Sequence, residues 1–212
     1  NVGHHFATDF IKNMLPLVLA STSPFRAQLL KKLGMPFIQA SPNIDETPLP
    51  TECAQALVTR LSYEKARALE VQYPNHLIIG SDQVCVLNKK ITGKPLNFEN
   101  AFAQLKQASG QCVSFYTGLT LYNSSTLAYE SHCELFQVHF RHLTDDEIIG
   151  YLNKETPFYC AGSFKSEGLG ITLFDKLSGD DPNSLIGLPL IRLNKMLLSQ
   201  RINPLLSTDN QE

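Results

Sequence analysis

LPLVLASTSPFR, running from Leu15 to Arg26, joins a continuous apolar run to a polar turn and a proline-led helix start. Leu15 to Ala20 has no polar side chain, the pattern of a short strand buried on both faces, as strands with parallel neighbours are. Ser23 followed by Pro24 supplies an N-cap and a proline at the first helical position. Leu29, Leu30 and Leu33 form a buried stripe, and Gly34 ends the helix. Strand, tight polar turn and helix in succession predict an α/β fold.

Outward from this unit, Phe37 to Ala40 (FIQA) reads as a second strand, and Ser41 to Pro50, rich in Pro, Asp and Glu, as an exposed loop. Thr51 to Tyr73 predicts a long helix, with Ala54, Leu57, Val58, Leu61, Ala68 and Leu69 on one face and Lys65 within that stripe. Leu77 to Leu87 (LIIGSDQVCVL) is a strong strand signal, followed by a turn at Asn88 to Lys90 and a short strand over Ile91 to Lys94. Asn97 caps a helix running to Ser109. Cys112 to Tyr122 and Thr126 to Phe140 predict a hairpin turning at Asn123 to Ser125. Thr144 to Glu147 matches a capping box that opens a helix through Leu152. A glycine-rich turn follows at Ala161 to Gly170, then a strand at Ile171 to Leu177, a loop at Ser178 to Asn183, and a final helix from Pro189. Helices alternating with strands that include a hairpin predict a mixed, twisted sheet flanked by helices.

The 212 residues, 43% hydrophobic and 18% charged, suffice for one substantial core. A net charge of −2 and a pI near 6.3 give no footprint for duplex nucleic acid, so small substrates are favoured. Five cysteines, odd in number and without a C-x-x-C pair, indicate reduced thiols and a cytoplasmic protein. No apolar run reaches the roughly 20 residues of a membrane-spanning helix, so no membrane partner is expected. Residues 1–13 read as an expression-tag remnant or loose leader, 14–205 as a single domain and 206–212 as a frayed tail.

Four places carry chemistry. At Ser21 to Arg26, hydroxyls and a guanidinium meet a helix start, where free N–H groups attract anions; Ser21 and Arg26 can grip a polyphosphate. The plainer alternative is a capped helix with a solvated arginine. Asp82 interrupts an apolar strand on the face of Ile78, Val84 and Val86, and a carboxylate there must be paired, metal-bound or shifted in its proton affinity. Lys65 either snorkels to the helix rim or points into a polar pocket, and Lys94 offers another cation just before Pro95. Asp45 and Glu46, in the loop, are carboxylates of the kind magnesium prefers, or ordinary loop acids. No G-x-x-x-x-G-K-[ST] segment is present, which argues against a P-loop hydrolase.

LASTSPFR (Leu19 to Arg26), DETP (Asp45 to Pro48), EKAR (Glu64 to Arg67), GSDQVCV (Gly80 to Val86), GKP (Gly93 to Pro95), AGSFKSEG (Ala161 to Gly168) and GLPL (Gly187 to Leu190) together resemble the Maf family, and closely its YceF branch. The resemblance implies the elongated, two-lobed α/β fold shared with inosine triphosphate pyrophosphatases, commonly as a homodimer. It implies a nucleoside triphosphate pyrophosphatase that uses a divalent cation, Mg²⁺ or Mn²⁺, and cleaves between the α and β phosphates. By the same resemblance Asp82 is the catalytic acid–base group and, with Glu46, a metal ligand. Ser21, Arg26, Lys65 and Lys94 line the polyphosphate site, while Phe25, Gln83 and Glu167 govern substrate choice, with 7-methyl-GTP preferred. Phe25 stands where the nearest relatives are expected to carry tryptophan. The second reading is a broad-specificity nucleotide pyrophosphatase or one acting on pyrimidine triphosphates (dTTP, UTP), as the resemblance to the sister branch implies, and a nucleotide-binding regulator of septation with little turnover is a third.

Overall fold

The computed structural model describes residues 15–206, so the readings made for residues 1–14 and 207–212 lie outside the described residues. The apolar run forms β1 (Leu17–Ala20), buried throughout. Ser23 caps α1 (Pro24–Leu30), its side chain accepting from the Arg26 N–H, and a 3₁₀ turn over Lys31–Leu33 ends at Gly34 with φ +66°. The remaining elements are β2 (Phe37–Ala40), α2 (Ala54–Arg67), β3 (Leu77–Leu87), β4 (Lys90–Thr92), α3 (Phe98–Ala108), β5 (Cys112–Asn123), β6 (Tyr129–Phe140), α4 (Asp145–Glu155), β7 (Phe174–Ser178), α5 (Pro182–Ile186) and α6 (Leu190–Ser199).

Seven strands form one mixed sheet, six of them in the order β2-β1-β3-β5-β6-β7 with β4 paired to β3 beside that path, as the alternation of helices with a hairpin predicts. β1 lies parallel to both β2 and β3, and from β3 onward every pairing is antiparallel. One edge of β3 has two successive neighbours. β1 pairs with Leu77 to Gly80, and β4 pairs with Cys85 to Leu87. Between them, Ser81 to Val84 have no strand on that side. Such a change of neighbour at the carboxyl end of a parallel strand leaves a crevice where α/β sheets bind ligands.

Side-chain alternation assigns the faces. Val18, Ala20 and Ile78 point toward α2, where they pack with Ala66 and Leu69. The opposite face carries two larger clusters: Leu17, Leu19, Leu77 and Ile79 under α1 and α6, and Cys85, Leu87, Phe115 and Phe140 under α3 and α4. Ser81 and Gln83 fall between those clusters on the same face. α2 sits very close to the sheet because glycine occupies its two crossing points. A Cβ on Gly80 would lie 2.0 Å from the Ser62 carbonyl oxygen, and one on Gly118 would lie 2.0 Å from that of Val58.

Three sequence expectations are corrected. The strand expected over Ile171 to Leu177 begins only at Phe174, because Leu169–Leu173 form a 3₁₀ helix. The helix expected over Thr51 to Tyr73 is regular only from Ala54 to Arg67, because Ala68 to Tyr73 continue as turns. The loop expected over Ser178 to Asn183 is shorter, since Ser178 ends β7 and Pro182 and Asn183 open α5, a short helix with its N-cap at the buried Asp181. Among the described residues, no helix is long and apolar enough to cross a membrane.

Candidate functional site

The crevice beside β3 is built from the strand outward. Asp82 is only 7% exposed and projects toward α2, where its Oδ1 accepts from Lys65 Nζ at 2.7 Å. Lys65 is itself 5% exposed, so its place in the apolar stripe reflects a polar interior partner and not a rim position. The same ammonium meets Glu46 Oε1 at 2.9 Å. Two carboxylates from distant parts of the chain are thereby brought to one cation. The Glu46 side chain keeps 59% of its surface exposed, and so brings the cluster to solvent.

The Glu46 loop is tied down by Arg60 of α2, which bonds both oxygens of Glu52 at 2.8 Å and also donates to the Thr47 carbonyl. These bonds hold the Glu52 carboxyl far below its ordinary range, at about 2. Asp45 accepts from the Thr47 N–H at 2.9 Å, and hydrogen bonds from the Thr47 side chain and then its backbone lower the Asp45 pKa.

The turn after β1 faces this cluster. Ser21 is buried, and its Oγ accepts from the Ser23 N–H at 3.1 Å and from Arg26 Nη1 at 3.5 Å. Arg26 Nε donates to the Gly187 carbonyl at 2.8 Å, which Ser81 Oγ also reaches at 2.9 Å. Gly187 has φ +124°, a conformation that excludes a side chain, and an added Cβ would lie 3.4 Å from Arg26 Nε. Burial pulls the Arg26 pKa below its ordinary value, against the opposing influence of Asp82 and Glu46. Guanidinium, ammonium and carboxylates therefore share one electrostatic neighbourhood. Gln39 of β2 braces the turn by donating to the Ser21 and Ser23 carbonyls at 2.9 and 3.2 Å.

From Arg26 a cleft opens between the two large clusters, lined by Phe25, Gln83, Lys94, Tyr159 and Glu167 among others. Gln83 is anchored by its amide nitrogen, while Lys94 and Glu167 are exposed. The segment carrying Glu167 is pinned to the core. Gly162 presses on Phe115, Phe164 packs edge-on against Phe115, Phe140 and Phe174, and the Leu169 N–H donates to Glu155 at 2.8 Å.

A family profile described as "Maf-like protein" matches residues 16–200. The chain belongs to the Maf family. Among solved structures, the Maf chain resembles a HAM1 protein from Coxiella burnetii at 14% identity, over 88% of this chain and 100% of that one, with a TM-score of 0.47. The Ham1 protein of Staphylococcus aureus matches at 11% identity over 88% of this chain and 99% of that one, with a TM-score of 0.46.

Of the ten residues singled out in the Maf sequence, nine lie in or beside this crevice, and Asp45, bonded to Thr47, is not among them. Ser21, Arg26, Lys65, Asp82 and Glu46 form its charged end, and Phe25, Gln83, Lys94 and Glu167 line the cleft that leads from it. Sequence reasoning missed Tyr159, 72% exposed at the cleft, and the buried Ser81 and Thr117. Tyr159 carries no local signal beyond being an aromatic next to the AGSFKSEG segment. Ser81 was within reach, since a serine beside Asp82 in an apolar strand needs a partner. Among the described residues, no three His, Cys, Asp or Glu side chains gather to hold a metal by themselves. Glu46 and Asp82 each have one oxygen on Lys65 and offer another. Two hard oxygen donors, completed by water and phosphate oxygens, suit Mg²⁺ or Mn²⁺.

Proposed function

We propose that this Maf protein hydrolyses nucleoside triphosphates between the α and β phosphates, releasing a nucleoside monophosphate and pyrophosphate, with 7-methyl-GTP preferred and the cytoplasm as its place of action. The observation that carries the reading is the Lys65 ammonium held between Asp82 and Glu46, two carboxylates that also act on Arg26 at the end of an open cleft. Cations poised beside acids at a crevice suit a polyphosphate better than a neutral ligand. Five free thiols fit a reducing compartment.

A divalent cation on Glu46 and Asp82 supplies neutralising charge for the phosphate oxygens. Ser21 and Arg26 bind and orient the polyphosphate. Asp82 takes the proton of the water that attacks the α phosphorus as the bond to the α–β bridging oxygen breaks. Arg26, Lys65 and Lys94 stabilise the charge gathering on the departing pyrophosphate, fixed in place before the reaction begins. Phe25 offers an aromatic face to the base; N7-methylation makes guanine cationic, and such contacts contribute about 0.5–2 kcal/mol. Glu167 is positioned along the cleft to accept from the paired N1–H and N2–H donors of guanine and to repel the carbonyl oxygens of uracil and thymine.

The test is product analysis with purified protein, Mg²⁺ or Mn²⁺, and a panel containing 7-methyl-GTP, GTP, UTP and dTTP. Pyrophosphate and monophosphate are expected, fastest from 7-methyl-GTP. Release of orthophosphate would overturn the cleavage site, and a preference for UTP or dTTP would overturn the base assignment. Tight nucleotide binding without turnover would favour a regulator.

A further inference from the structure

Gln83 lies where β3 passes between the two large clusters, and its amide is tied down on one side only. Nε2 donates to the Ser184 carbonyl at 2.8 Å, to the Leu185 carbonyl at 3.1 Å and to Thr117 Oγ1 at 3.0 Å. Backbone carbonyls cannot donate, so nitrogen and not oxygen must face them. Thr117, fully buried and paired with Gln83 in the β3–β5 register, obeys the same constraint. Its hydroxyl gives its hydrogen to the Ser184 carbonyl at 2.9 Å, which leaves only an acceptor for Gln83. An amide's oxygen and nitrogen are assigned from such a network, and here every inner neighbour is an acceptor. Among the described residues, Arg192 Nε is the one buried side-chain nitrogen or oxygen without a partner, so the unpartnered Gln83 Oε1 is open to the cleft.

We infer that Gln83 presents a fixed acceptor, its carbonyl oxygen, to the bound nucleotide, and so selects a hydrogen-bond donor at that point, either an amino N–H of the base or a hydroxyl of the sugar. The inference rests on the nucleotide reading above and narrows it. A freely turning amide serves donors and acceptors alike. One locked by three inner acceptors discriminates, because two opposed oxygens are both left unsatisfied. Ser184 and Leu185 belong to α5, so the contact that fixes the amide also holds that short helix to the sheet.

Three measurements test this, and the first two need no turnover. In the nucleotide-free protein, the Gln83 side-chain amide signals, assigned by their loss in Gln83→Met, are expected to exchange with solvent at least about tenfold more slowly than those of exposed glutamines such as Gln28. Exchange as fast as theirs would overturn the orientation. Gln83→Glu turns an oxygen toward three acceptors, so its Tm is expected below that of Gln83→Met. A Tm equal to or above that of Gln83→Met would mean that oxygen faces inward in the wild type. Finally, kcat/KM is compared for GTP, ITP, which lacks the 2-amino group, and dGTP, which lacks the 2′-hydroxyl. The wild type is expected to lose about tenfold on one analogue, identifying base or sugar as the donor, and Gln83→Met to lose most of that difference. Equal rates for all three nucleotides in the wild type, or a difference that survives in Gln83→Met, would refute the selection. Absence of hydrolysis with every nucleotide would instead refute the nucleotide reading, while the exchange and stability results would still decide which way the amide points.

Discussion

Lys65 is the only bonded cation of the buried Asp82 among the described residues, and that makes the two residues unequal targets. A lysine within an apolar stripe suggests that methionine, which keeps the stem, would be tolerated. The Asp82 contact reverses that expectation: Lys65→Met strips a buried carboxylate of its hydrogen-bonded cation, and removal of one partner of such a pair costs about 3–5 kcal/mol. Urea unfolding should show the loss directly. Asp82→Asn is the milder change, since the ammonium retains Glu46 at 2.9 Å and the amide keeps the shape of the side chain. Its fold should survive while hydrolysis falls about 10²–10⁴-fold, the usual contribution of a general base. Near-normal turnover in folded Asp82→Asn would remove that role from Asp82.

At the scale of elements, the site depends on how closely α2 lies on the sheet and how firmly the Glu46 loop is tied to α2. Gly80→Ala or Gly118→Ala would drive a Cβ into a helix carbonyl, so α2 must rise and carry Lys65 away from Asp82. Overpacking of this kind costs about 1–3 kcal/mol, and activity should fall along with Tm. The loop is governed by Glu52. Its folded pKa, about 2, lies below the ordinary 4.5, so its stabilising contribution is complete above the unfolded value and is lost as pH falls through that window. Glu52→Gln should show a flatter stability profile between pH 4.5 and 2 and, at neutral pH, faster hydrogen exchange in residues 45–52. Much of this framework is legible in sequence. The strand from Leu77 to Leu87 has its expected bounds, and the capping box at Thr144 to Glu147 forms as its spacing requires. α5 was not legible, because five residues are too short for a helical period and Asp181, Pro182 and Asn183 carry turn chemistry. Nor was Thr117, whose place opposite Gln83 is set by cross-strand register, a long-range property that a single strand's pattern does not contain.

At the scale of the molecule, the charged end of the crevice and the cleft belong to different cores. Ser21 and Arg26 follow β1, which packs in the cluster under α1 and α6, whereas Tyr159 and Glu167 lie on segments fixed to the cluster under α3 and α4. β3 runs through both clusters, and its polar residues Ser81, Asp82 and Gln83 fall at the change of neighbour between β1 and β4. A nucleotide bound as proposed must span this boundary, its phosphates on the first side and its base on the second. Inorganic tripolyphosphate, lacking a base, has contacts to make at the charged end and with Lys94, and none with Phe25, Gln83 or Glu167. Hydrogen exchange should separate the two ligands. With Mg²⁺ present, tripolyphosphate is expected to protect the amides of residues 21–26 and to leave 159–168 unchanged, whereas a nucleoside triphosphate in non-hydrolysable form should protect both segments. The linkage should also appear in stability, because a ligand that binds only the folded state at one hundred times its Kd adds about 2.7 kcal/mol. If tripolyphosphate protects residues 159–168 as strongly as the nucleotide does, the base does not occupy the cleft, and Phe25, Gln83 and Glu167 lose their assignment as its readers.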